Sequence, residues 1–133
     1  MRQETFTSEA TTRGLKVHVE ARYDPNRSDL EKGKWFFLYT VTLSNQGSET
    51  VQLESRHWII TDGEGRVQEV KGPGVVGENP ILAPGESYRY TSGCALDTPF
   101  GSMHGTYQMT TTSGGRFDAE IAKFTLSEPY TVN

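Results

Sequence analysis

Three glycines carry the most suggestive spacing in this chain. In "KGPGVVGENP" (71–80), Gly72, Gly74 and Gly77 spell G-x-G-x-x-G. Dinucleotide-binding proteins use that spacing to bring backbone N–H groups to a pyrophosphate. The chemistry needs a strand before the glycines and a helix opening on the last one, whose free N–H groups and dipole face the anion. The strand is present as "RVQEV" (66–70), but the helix is missing. Glu78, Asn79 and Pro80 follow Gly77, Pro80 holds Asn79 extended, and Pro84-Gly85 turns the chain again. The residues favour a structural loop instead. Pro73 fixes its φ ahead of Gly74, glycines reach positive φ at no steric cost, and Val75 and Val76 turn inward as an apolar plug or outward as a contact. A backbone nest can hold an anion without any helix, which keeps phosphate or nucleotide binding as the alternative.

The remaining candidates for chemistry are sparse. His57 and His104 could meet in space and, with Cys94 or a carboxylate such as Asp62, make a small metal site. Their spacing matches no recognised ligand motif. Otherwise His57 caps or packs at a strand end and His104 sits in a loop. A Cys94–His104 nucleophile pair lacks the strand–turn–helix placement that activates a thiol, and Cys94 reads as a partly buried small apolar residue. Asp24, Asp29 and Glu31 in "YDPNRSDLEKGK" (23–34) form a solvated polar loop able at most to hold a loose divalent ion. No carboxylate pair is set for acid–base work, so no catalytic residue and no cofactor is expected.

The elements that must position these residues alternate with period 2. "LKVHVEARY" (15–23) puts Leu15, Val17, Val19, Ala21 and Tyr23 on one face. "WFFLYTVTLSN" (35–45) is apolar on both faces in its first half, as suits a central or covered strand. "VQLESRHWIITD" (51–62) changes face at a bend between Leu53 and Trp58. "DGEG" (62–65) makes a hairpin with "RVQEV". Ser113-Gly114-Gly115 marks a second hairpin, before "RFDAEIAKFTLS" (116–127), whose apolar face swaps near residue 122 and predicts a bulge. No window shows a helical period. Seven to eight strands with turns every 8–12 residues predict an all-β antiparallel sandwich of immunoglobulin-like or fibronectin type III-like form. Tyr107, two residues before Met109, fits either a tyrosine corner or an ordinary strand tyrosine. Trp35, Phe36, Phe37, Tyr39, Trp58, Tyr88, Tyr90 and Phe100 exceed the needs of one sheet face, and an exposed subset beside the glycine loop would anchor a partner.

The 133 residues suit one domain, with a core over about 15–127 and tails at 1–5 and 128–133 that are loose or docked along an edge. Hydrophobic residues at 34% and charged residues at 23% fit a folded soluble chain. A net charge of −4 without any basic run argues against general nucleic-acid binding. One cysteine allows no internal disulfide and fits a reducing, cytoplasmic setting. The opening "MRQETFTSEA" lacks the apolar stretch of a signal peptide, and no apolar run is long enough to span a membrane.

Taken together, ordered segments across Val17 to Pro129 resemble the ApaG domain family. They are "YDP" with "FLYTVTLSN", "RHWIITDGEGRVQEVKGPGVVGENPILAPGESYRYTSG", "TPFGSMHGTYQM" and "IAKFTLSEP". The resemblance implies a fibronectin type III-like sandwich. It implies a small bacterial protein whose domain recurs in eukaryotes, including the substrate-binding part of an F-box protein, where it acts in protein–protein interaction. It also carries an association with cobalt tolerance and magnesium efflux, and with genes beside a diadenosine tetraphosphate hydrolase. The expectation is a non-enzymatic interaction module that contacts another protein, with weak homodimerisation as a further option. The alternative is a phosphate, nucleotide or metal binder acting through the GPGVVG loop or a His57/His104 site.

Overall fold

The computed structural model describes residues 4–129. Nine strands follow in order: β1 (Thr5–Thr12), β2 (Leu15–Tyr23), β3 (Trp35–Asn45), β4 (Val51–Asp62), β5 (Val67–Pro73), β6 (Ile81–Leu82), β7 (Ser87–Leu96), β8 (Phe100–Thr111) and β9 (Arg116–Ser127). A single 3₁₀ turn, Leu30–Lys32, is the sole helical element among the described residues. One antiparallel sheet runs β1-β2-β3-β7, and the other runs β5-β4-β8-β9 with β6 also on β4. The architecture is the expected β-sandwich. No described helix is long and apolar enough to cross a membrane.

The strand count exceeds the seven or eight expected because of β1 and the two-residue β6. β1 falls outside the expected core of 15–127. Its half-buried face holds Phe6, Ser8, Ala10 and Thr12, so polar residues interrupt the apolar alternation that reveals a strand. The tails at 1–3 and 130–133 lie outside the described residues. Thr5 is already in β1, and Glu128 is tied down where its N–H donates to the Pro99 carbonyl at 3.0 Å.

Both expected irregularities are β-bulges. In β4 the register against β8 shifts between Leu53 and Ser55, leaving Glu54 as the extra residue. The buried set therefore changes from Val51 and Leu53 to Trp58 and Ile60. In β9 the shift lies opposite Met103 and Gly105, between Ile121 and Phe124, and burial passes from Ala119 and Ile121 to Phe124 and Leu126. An extra residue flips every later side chain to the other face, because the period is 2.

The core joins both sheets. Tyr39, Trp58, Tyr107 and Phe124 pack at tilted or edge-to-face angles, with centroids 5.3 to 6.3 Å apart, the arrangement that ring quadrupoles favour. Tyr107 is an ordinary strand tyrosine rather than a tyrosine corner. Its hydroxyl bonds the Tyr90 hydroxyl across the sandwich, where a corner tyrosine would reach nearby backbone.

The two long sides of the sandwich differ. On one, β1 lies against β9, with Ser8 Oγ donating to the Ala122 carbonyl at 2.7 Å and the Glu120 N–H donating to Thr12 Oγ1 at 3.0 Å. On the other, β5 and β7 each end their sheet, and no hydrogen bond among the described residues joins them.

Candidate functional site

The glycine loop is a locked hairpin seated on the β4 bulge. After β5 ends at Pro73, Val75 and Glu78 exchange both backbone hydrogen bonds at 2.8 Å. Val76 (φ 42°) and Gly77 (φ 81°) fill the two central positions. Positive φ at both makes this a type I′ turn. The bulge leaves the Glu54 carbonyl outside the ladder, and the loop satisfies it. Gly74 N–H donates to it at 2.9 Å and Asn79 Nδ2 at 3.0 Å. Asn79 Nδ2 also reaches the Leu53 carbonyl at 3.1 Å, and Leu53 N–H donates to the Pro80 carbonyl at 3.0 Å.

Each glycine has its own reason. Gly74 sits at φ 57°, and a Cβ there would lie 2.4 Å from the Glu78 carbonyl oxygen. Gly77 needs only its positive φ, with open space around it. Gly72 lies beneath the Arg56 guanidinium, whose Nη2 would be 3.0 Å from an added Cβ. Arg56 Nη1 in turn donates to the Pro73 and Gly74 carbonyls, both at 2.8 Å. Sequence reading missed Arg56, since nothing in "SRHW" marks one charged residue as a staple for a loop 17 residues later. The two valines divide the roles left open for them: Val75 is a buried plug at 1% exposure, and Val76 stands out at 56%. The helix that a dinucleotide fingerprint requires is not there, and β6 follows instead.

The histidines lie within strands, not at a strand end or in a loop. His57 pairs with Thr106 and Ile59 with His104, so the two histidines are diagonal neighbours on the outer face of their sheet. His57 Nε2 is engaged by Glu69 Oε1 at 2.7 Å. Cys94 faces the core from the other sheet, and burial pushes its thiol up to about 11. A buried thiol opposite the wrong sheet face cannot be activated by His104. Asp62 belongs to the β4–β5 turn, accepting from the Glu64 and Arg66 N–H groups and from Arg66 Nε at 2.6 Å. The Arg66 hydrogen bond holds its carboxyl below the usual value. His57, His104, Cys94 and Asp62 are thus not assembled. Asp24 and Asp29 act on their own backbone, Asp24 accepting from Asn26 N–H and Asp29 from Lys32 N–H. Among the described residues no group of three or more His, Cys, Asp or Glu side chains is gathered for a metal.

Two concavities bear on these residues. One, of about 340 Å³, lies beside Gly72 and is lined by Ser55, Arg56, His57, Lys71 and Gln108. The other, of about 410 Å³, opens between the free edges of β5 and β7. Its apolar lining includes Ile60, Val67 and Leu96 beside Ala95, with Gln68 and the charged Lys34, Asp62, Arg66 and Asp97 around them. The aromatic residues do not crowd the glycine loop. Phe100, the exposed one, packs on Gly63 at the far end of β4.

Comparison with known proteins follows this geometry closely. A family model described as the ApaG domain matches residues 25–111. Protein ApaG of Bradyrhizobium sp. (strain ORS 278) is 54% identical over 120 residues, covering 90% of this chain and 92% of that protein. Protein ApaG of Methylobacterium radiotolerans is 53% identical over 121 residues, 91% of this chain and 93% of its own. A crystal structure from Bordetella pertussis, assigned as ApaA, superposes with a TM-score of 0.85 at 54% identity, covering 88% of this chain and 95% of that one. The C-terminal domain of wzt shares the fold alone, at a TM-score of 0.51 and 11% identity over 95% of this chain and 80% of its own. With the family model covering well over half of its length, and relatives that keep more than half of the aligned residues, the chain belongs to the ApaG domain family.

Proposed function

We propose that this chain is a non-enzymatic protein-interaction module that presents its 75–78 hairpin to another protein. The observation that carries the reading is Val76. A β-branched residue in the left-handed region is strained, and glycine or asparagine is the ordinary occupant of that turn position. Here a valine holds it while 56% exposed, at the tip of a loop clamped by Arg56, Asn79 and the Glu54 carbonyl. Strain at an exposed apolar tip points to use of the side chain, and a rigid loop loses little freedom on binding. The association with cobalt and magnesium is read as indirect, passing through the partner.

Affinity capture of the intact chain from its own cell extract, with mass spectrometry, tests this. Val76→Asp is expected to fold normally and to lose a partner that the unaltered chain retains. If Val76→Asp keeps every partner, the hairpin is not the contact.

A second reading rests on the concavity beside Gly72. Arg56, His57 and Lys71 with Ser55 and Gln108 give it the basic and polar lining of an anion site. Against it, Arg56 Nη1 is already spent on two carbonyls and His57 on Glu69. A phosphate-dependent rise in melting temperature that Lys71→Ala removes would favour this reading over the first.

A further inference from the structure

We propose that the free edge of β7 is a second docking site, separate from the 75–78 hairpin, which takes an extended segment of a partner protein as an added antiparallel strand. Three observations converge on it.

The first is the edge itself. Every second residue of a terminal strand turns its N–H and C=O away from the sheet, and natural proteins blunt such edges with proline, bulges, charges or short length. β5, the opposing edge, is blunted: it is seven residues long, carries Glu69 and Lys71, and ends at Pro73. β1 is covered by β9. β7 has none of these devices. It runs for ten residues from Ser87 to Leu96 in unbroken register with β3, without proline, and with Arg89 as its one charge. No described residue bonds its outer edge.

The second is the cleft beside the edge. A strand added to β7 would send alternate side chains toward the second sheet, and the cleft of about 410 Å³ lies there, between Leu96 and Ile60. An edge for the main chain and a pocket for alternate side chains are the two requirements of recognition by strand addition. The third is charge. Lys34 is paired with Asp97, and Arg66 with Asp62 and Glu64. Each of these charges already has a partner within the chain, so the residue that enters is apolar, meeting Ile60, Leu96 and the 63%-exposed Val67.

A second copy of the chain fits less well. Its own inward β7 side chains, Tyr90, Cys94 and Leu96, are buried in its own core, so a β7–β7 dimer brings no free side chain to the cleft. A separate extended segment does.

The test pans a displayed library of random dodecapeptides against the full chain and synthesises the enriched peptide. Methylating alternate backbone nitrogens of that peptide should abolish binding, while methylating the intervening ones should not. The amides of residues 87–96 should gain protection from hydrogen exchange on binding. Val67→Asp should weaken binding by about tenfold or more, and Val76→Asp should leave it unchanged. The proposal is overturned if no peptide is enriched, if binding ignores backbone methylation or Val67→Asp, if Val76→Asp removes it, or if the free chain sediments as a dimer with β7 amides already protected.

Discussion

Gly74 donates its N–H to the Glu54 carbonyl at 2.9 Å, so the residue that breaks the β4 ladder and the loop that repairs it are a single structure. Local backbone geometry accounts for the glycines without invoking a phosphate: positive φ at Gly74 and Gly77, and the Arg56 guanidinium over Gly72. It also separates two glycines that look alike in sequence. Gly74→Ala introduces strain at φ 57° and forces a Cβ against the Glu78 carbonyl, for a cost of roughly 2–4 kcal/mol. Gly77→Ala meets open space at φ 81° and should cost only about 1 kcal/mol. Denaturant unfolding of both variants checks this, and equal losses would refute the assignment.

Val76 makes the opposite prediction. Val76→Gly relieves a left-handed β-branched residue and should stabilise the chain by roughly 1 kcal/mol, even as it removes the proposed contact. A stability gain joined to a loss of partner is the pattern of a functional strain. Val75→Asp places a charge at a position 1% exposed and should unfold the hairpin or the domain.

The hydroxyl bond between Tyr90 and Tyr107 predicts strong coupling. Tyr107→Phe leaves the buried Tyr90 hydroxyl unpaired, costing roughly 1–3 kcal/mol. The double variant with Tyr90→Phe should cost clearly less than the two single losses combined. Simple additivity in this cycle would show that the bond carries no energy.

The same interior sets an alkaline limit. Burial raises the Cys94 thiol to about 11 and raises the hydroxyls of Tyr39, Tyr90 and Tyr107 above their ordinary value. The unfolded chain therefore releases these protons at lower pH than the folded one, and stability falls as pH rises. The contribution is complete below the ordinary thiol value of 9.0 and is lost upward from there. Melting temperature should decline steadily above about pH 9, and Cys94→Ala should shift the onset toward the ordinary tyrosine value of 10.0. A flat profile to about pH 11 would contradict the burial of these groups.

Nucleotides provide the last check. ATP, NAD or a diadenosine polyphosphate should leave the melting temperature unchanged. A bound ligand at 100 times its dissociation constant would add about 2.7 kcal/mol. Such a gain, lost in Lys71→Ala, would return the loop's flank to anion binding.

Much was legible in the sequence. Period-2 alternation identified β2, β3 and β9, because burial of one face writes itself into every second residue. The parity changes in "VQLESRHW" and "AEIAKF" predicted a bend and a bulge, and both prove to be bulges, since an extra residue must invert all that follow. The missing helix after Gly77 was visible from Pro80. Tertiary structure alone decided the rest. β1 is not legible in the sequence, because its half-buried face mixes Phe6 and Ala10 with Ser8 and Thr12. Which valine points outward depended on a turn whose φ values local sequence does not dictate for valine. That Arg56 staples the loop, that Cys94 and His104 lie on different sheets, and that β5 and β7 leave a cleft between them are facts of strand order. Strand order comes from pairing residues far apart in the chain, and local periodicity carries no record of which strand lies beside which.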